Sequence, residues 1–276
     1  MSRFMAMWEA TGAPRLWLEG SDYAEQLLAG GHAPWLDVAA GIAWQRKMQE
    51  LLPSDVLTID VARIATALCA AQPALARAMA EKQRGGYALK TLLADEALRQ
   101  HLTEWIVALR AALPQPMLCL KLLAPGAAVA QAWQLAHGTA AVTEADEDQI
   151  DAAALYQADF LRTFSAAGLD ALLLVEPVAG PGAEIQALYQ SLLNVATGYQ
   201  WCVGLEVPGG QDGVSLTEGF SFVIADAQQT LPTAVRVADV FWQTDVVPVA
   251  AAVRYARVPP GLQPERVLQR LQVLRG

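Results

Sequence analysis

Six residues in this chain have the type and position to do chemistry: Asp60, Arg63, Lys121, Glu176, Glu206 and Asp226. Five of them end, or nearly end, a short apolar run. Asp60 closes VLTID, Lys121 sits near the end of PMLCLKLL, Glu176 closes DALLLVE, Glu206 follows CVGL, and Asp226 closes FSFVIAD. A carboxylate in such a place accepts several donors at once or moves a proton, and a cation beside it holds an anionic group. Asp60 and Glu176 are the catalytic candidates. Arg63, Lys121, Glu206 and Asp226 are candidates for binding a small-molecule substrate. Each also has a structural use, since an acid after a strand can cap the next helix and Lys121 can pair with one of the acids.

These residues gather only if the runs that carry them lie parallel. The runs are 55–61, 116–123, 170–176, 199–207, 220–227, 237–243 and 251–258, and they are apolar throughout rather than alternating. That is the look of strands covered on both faces. Helical spacing lies between the earlier ones. From Glu144 to Ala167 the residues Ile150, Ala153, Ala154, Phe160, Leu161 and Phe164 share a face, with Thr143 and Asp146 set as a capping box and Gly168 as the stop. Helices are also expected over Glu184–Ala196 and Pro264–Leu274, and through the excursion from Ala62 to Pro114, interrupted at Gly85 and Gly86.

Strand, helix, strand in repetition means parallel pairing. The chain of 276 residues reads as one domain over 1–276, an α/β protein of the TIM (β/α)8 barrel class. An open doubly wound sheet is the second choice, and no GxGxxG turn or P-loop supports it. Little room for a helix remains between Val237 and Val258, so one unit is expected to be missing or replaced in the last third. In a parallel barrel the strand C-termini open onto the site, which places the terminal charges at a common mouth.

Composition narrows the partners. Nineteen basic residues against twenty-eight acidic give a formal charge of −9, a surface that repels nucleic acid. No apolar run is long enough to span a membrane, and the N-terminus lacks the apolar stretch of a signal peptide. Cys69, Cys119 and Cys202 are odd in number and far apart, which fits a reduced, cytoplasmic protein without a disulfide framework. His32, His101 and His137 have no ligand-spaced companions, so neither a metal nor another cofactor is expected.

The segment YQADFLRTFSAAGLDALLLVEPVAG (156–180) resembles the helix–strand unit of the uroporphyrinogen decarboxylase and cobalamin-independent methionine synthase superfamily. SDVLTIDVARI (54–64) is similar to the decarboxylase strand that ends in a substrate-binding Asp. ALRAALPQPMLCLKLLAPGAAVAQAW (108–133) and VPPGLQPERVLQRLQVL (258–274) resemble later units in the same order. The resemblance implies a TIM barrel, often a homodimer, with Asp60 accepting pyrrole N–H groups and Arg63 or Lys121 as cationic partner. The implied activity is decarboxylation of a tetrapyrrole or related small molecule. The other branch implies methyl transfer to or from a folate, corrinoid or thiol with Glu176 orienting the substrate, and a binding-only barrel is the third reading. The sequence departs from the family in several places, among them the segment 33–49, where the family is Arg-rich and only Arg46 and Lys47 are basic here. The catalytic tyrosine falls at Phe160, no histidine follows His137, and Ala67, Met117 and Gln200 stand where a His-x-Cys zinc pattern needs histidine.

Overall fold

A computed structural model describes residues 2–141, 143–177, 182–207 and 216–276. Eight strands form one all-parallel sheet. They are β1 (Arg15–Glu19), β2 (Val56–Asp60), β3 (Met117–Leu123), β4 (Ala171–Val175), β5 (Cys202–Glu206), β6 (Phe222–Ala225), β7 (Thr233–Arg236) and β8 (Val253–Arg257). The order β1-β8-β7-β6-β5-β4-β3-β2 brings the first two strands to opposite ends of the ladder, where they face each other across a seam. This is a nearly closed TIM-barrel-like fold.

The helices are unevenly distributed. Between β1 and β2 lie α1 (Ser21–Ala29) and α2 (Val38–Leu51). Between β2 and β3 come α3 (Val61–Ala71), α4 (Pro73–Met79), α5 (Gly85–Ala94) and α6 (Glu96–Ala112). The next two gaps hold α7 (Pro125–His137) with α8 (Glu147–Arg162), then α9 (Ala183–Ala187) with α10 (Gln190–Gly198). Among the described residues no α-helix lies between β5 and β8, and α11 (Pro264–Arg275) closes the chain. No helix of the described residues is long and apolar enough to cross a membrane.

The seam is fastened by side chains where a ladder is absent. Leu16 donates its N–H to the Asp55 carboxylate at 2.8 Å, and Leu18 donates to the Ser54 hydroxyl at 2.9 Å. The Ser54 hydroxyl in turn donates to the Val56 carbonyl at 2.6 Å, and Asp55 N–H reaches the Leu16 carbonyl. Within the barrel the Trp17 indole donates to Thr58 at 2.9 Å across the same gap. A backbone group hidden from water must find a partner, and these residues supply it.

The strands are apolar on both faces because each is buried twice. Leu57, Ile59, Leu118, Leu120, Leu172 and Leu174 meet the helices, while Val56, Cys119, Ala171, Leu173 and Phe222 fill the barrel. Gly204 is required there: a Cβ would lie 2.1 Å from the Phe222 ring. Residues 2–8 stop the barrel at the strand N-termini. Phe4 and Met7 are buried, Phe4 meets the Trp17 ring edge-on, and Trp8 donates its indole N–H to the Thr233 carbonyl at 3.0 Å.

Several expectations need correction. Residues 237–243 are not a strand. They contain a short 3₁₀ turn (Asp239–Trp242), and the strand is the four-residue β7 just before it. Their apolar character comes from Phe241 and Trp242 packing in the cluster that contains Val267, Leu271 and Leu274 of α11. β1 is a strand that lies outside the apolar runs of the sequence. The helix expected from Glu144 begins later, with Asp146 as the cap accepting from Gln149 N–H, so the capping box at Thr143 does not form. The helix expected over Glu184–Ala196 is two helices, broken around Tyr189. Gly168 has φ +91°, the left-handed turn expected of it before β4. Between Val237 and Val258 no α-helix forms, as expected, while all eight strands are present.

Candidate functional site

Pleating sends alternate residues of each strand inward, so the last inward residue of a strand faces the mouth. In β1, β2 and β3 these are Glu19, Asp60 and Lys121. The Lys121 ammonium lies 3.2 Å from Glu19 and 2.9 Å from Asp60, all three largely shielded. Burial works to lower the Lys121 pKa, but the charges of Glu19 and Asp60 outweigh it and hold the ammonium well above its ordinary value. Asp60 also caps α3, accepting the Arg63 N–H at 3.3 Å. Arg63 itself turns outward to Asp22 of α1 at 2.5 Å, with its guanidinium 3.8 Å from Asp60.

The opposite half of the mouth centres on Glu206, 2% exposed at the end of β5. Its carboxylate accepts from Arg257 at the end of β8, from Arg236 at the end of β7 at 3.4 Å, and from the Tyr255 phenol at 3.4 Å. Arg236 also holds Asp226 at 2.6 Å and the Val207 carbonyl at 2.5 Å. Tyr255 joins the two halves. Burial first, then the charges of Glu19 and Glu206, push its hydroxyl well above the ordinary range, so it stays protonated.

Glu176 differs from the other acids. It is 8% exposed, and its carboxylate accepts from the Tyr189 hydroxyl at 2.6 Å. Among the described residues it has no ion-pair partner. Burial raises its pKa, and the tyrosine hydrogen bond only partly opposes that. The break between α9 and α10 is what delivers Tyr189 to this carboxylate. Glu176 N–H donates to the Glu206 carbonyl at 3.0 Å, so the lone acid and the paired one are neighbours.

A cleft of about 680 Å³ opens here, lined by Glu176, Glu206, Asp226, Arg236 and Arg257 and by apolar residues between Val237 and Val249. Its outer wall, the segment after β7, is held from behind by α11. Arg266 donates to the Trp242 and Thr244 carbonyls at 3.1 and 2.9 Å. Arg270, buried and stacked 3.9 Å over Phe241, donates to the Phe241 and Val246 carbonyls at 2.9 and 2.5 Å.

Of the six candidates, Asp60 and Lys121 meet in one half of the mouth, with Arg63 at its edge. Glu176, Glu206 and Asp226 line the cleft in the other. Glu19, Arg236, Tyr255, Arg257 and Tyr189 were missed. The strand-end rule that found the others also picks out Glu19 in RLWLE and Arg257 in VRYAR. Nothing local marks Tyr189, which comes from a helix break. Among the described residues no three His, Cys, Asp or Glu side chains form a metal-holding group.

The fold and mouth thus define a TIM-barrel protein with an acid–base cleft. No family model matches the chain, and no curated protein matches it. It is similar to the carboxyl transferase domain of Rhizobium etli pyruvate carboxylase with pyruvate, at 10% identity and TM-score 0.48, covering 99% of this chain and 49% of that one. The complete multifunctional pyruvate carboxylase from Rhizobium etli gives 11% identity and TM-score 0.48, covering 98% of this chain and 28% of that one. The chain therefore spans less than half the length of these structures. Likeness at this level assigns no function, and the barrel stands on the strand pairing itself.

Proposed function

We propose that this barrel is a small-molecule enzyme that transfers a proton through Glu176, with decarboxylation as the reaction. The carrying observation is the state of that one carboxyl group. The other acids named at the mouth are matched to lysine or arginine, whereas Glu176 is buried against a single tyrosine hydroxyl and faces a cleft. A carboxyl whose pKa is raised by burial holds its proton to higher pH than an exposed one and can hand it to a substrate. In the proposed step the C–C bond to a substrate carboxylate breaks, CO2 leaves, and the electron pair stays on carbon. Glu176 then protonates that carbon and is reprotonated from solvent. The substrate must itself delocalise the pair, as a β-keto acid or a pyrrole does.

The decarboxylase-like label is supported by the resemblance of SDVLTIDVARI (54–64) to the decarboxylase strand that ends in a substrate-binding Asp, whereas Glu176-Pro177 resembles the strand end of the methyl-transfer branch. In this reading Asp60 fixes the mouth's charges rather than reacting, because Lys121 and the start of α3 engage its oxygens. Methyl transfer through a thiolate has less behind it. Cys69, Cys119 and Cys202 are buried, and burial raises each thiol.

The test is CO2 release from a panel of β-keto acids and pyrrole carboxylates. The protein is expected to turn over at least one, and Glu176→Gln to lose about 100-fold or more of that rate. No release from any member, or full activity in the variant, sinks the reading and leaves a binding-only barrel.

A further inference from the structure

We propose, resting on the proton-transfer reading of Glu176, that the cleft takes an amphipathic carboxylic acid: a single carboxylate at Arg257 and an apolar body along the wall after β7. Three features of the cleft carry this.

The first is the distribution of cations. Arg236 is engaged by Glu206, Asp226 and the Val207 carbonyl. Arg257 is tied to Glu206 and Tyr255, yet its side chain is 54% exposed. A guanidinium has five N–H donors, so Arg257 keeps some for an incoming carboxylate, which it can grip with two parallel bonds. The second is the wall. Val240, Val246, Val247 and Val249 all line the cleft and all stand out to solvent, Val247 at 75%. Concentrated exposed apolar surface of this kind marks a surface meant to be covered. Arg266 and Arg270 grip the backbone carbonyls behind it, so the valines cannot turn inward to bury themselves. The third is the surplus of acid. Even with Glu176 protonated, Glu206, Asp226 and Asp239 line the cleft against Arg236 and Arg257, so a second or third carboxylate on the ligand meets repulsion. The volume of about 680 Å³ suits a small molecule of this kind.

The experiment is calorimetric titration of the intact protein at neutral pH with octanoate, citrate and octanol. Octanoate is expected to bind at least about tenfold more tightly than the polycarboxylate or the uncharged alcohol. Val247→Asp, at an exposed position that leaves the fold alone, and Arg257→Gln are each expected to weaken octanoate by about tenfold or more. Citrate binding as tightly as octanoate overturns the proposal, and so does octanoate binding that neither Val247→Asp nor Arg257→Gln disturbs. If the valine wall instead seats a second copy of the chain, Val247→Asp will dissociate a dimer without touching octanoate affinity, which also overturns it. The two readings fail separately. Absent octanoate binding while Glu176 still titrates high removes the substrate class alone. Ordinary titration of Glu176 removes the proton transfer and leaves the binding result standing.

Discussion

Lys121 stands between Glu19 and Asp60, and Glu206 between Arg236 and Arg257, so each half of the mouth is arranged around one central charge. Removing Lys121 leaves two carboxylates together in a shielded place. Lys121→Met is expected to cost about 3–5 kcal/mol, read from urea unfolding, and adding Asp60→Asn should recover part of it. Glu176 behaves differently, because its own protonation is at stake. Its folded pKa lies above the ordinary 4.5, so between those two values the folded state holds the proton that the unfolded chain releases. Stability is therefore full below the ordinary value and falls as pH rises through the folded one. The Glu176→Gln variant should lack this decline, which denaturant midpoints across pH will show. A carboxyl absorption titrating at the ordinary glutamate value would contradict it.

At the level of elements, β4 was plain in the sequence because Ala171 to Val175 is buried on both faces and Gly168 marks its start. β1 was hidden because RLWLE carries an Arg and a Glu at its ends, and β7 because TAVR is only four residues. VADVFWQ misled for a physical reason: Phe241 and Trp242 are apolar to serve α11, not to join the sheet. The strand-end acids were legible one by one. Their pairing was not, because which cation meets which acid depends on closure, which sets Arg236 and Arg257 of β7 and β8 beside Glu206 of β5. The packing inside the sheet offers its own test. Gly204→Ala forces a methyl against the Phe222 ring and is expected to destabilise by about 1–3 kcal/mol, with Phe222→Leu restoring much of that loss. Equal stability of the Gly204→Ala variant and the parent in thermal unfolding would mean that β5 and β6 are less tightly apposed.

Across the whole molecule, closure depends on Ser54 and Asp55 standing in for a ladder. Ser54→Ala leaves the Leu18 N–H without its partner and is expected to cost about 1–3 kcal/mol. The Leu18 amide should then exchange hydrogen faster while the amides of β3 and β4 keep their protection. Unchanged exchange at Leu18 would show that β1 and β2 meet without this fastening. The same view sets two halves of the barrel in contrast. β1 to β5 are separated by ten α-helices among the described residues, and β5 to β8 by no α-helix.

That asymmetry has a bearing on how such a protein can change over generations. The quarter that carries the cleft is bounded by a loop pinned at a few carbonyls rather than by interlocked helices. Insertions and swaps there disturb few neighbours, whereas the same edits on the thickly clad flank would ripple through packed layers. Novel ligand preferences should therefore arise around residues 237–252, with the opposite flank kept as an unchanging chassis.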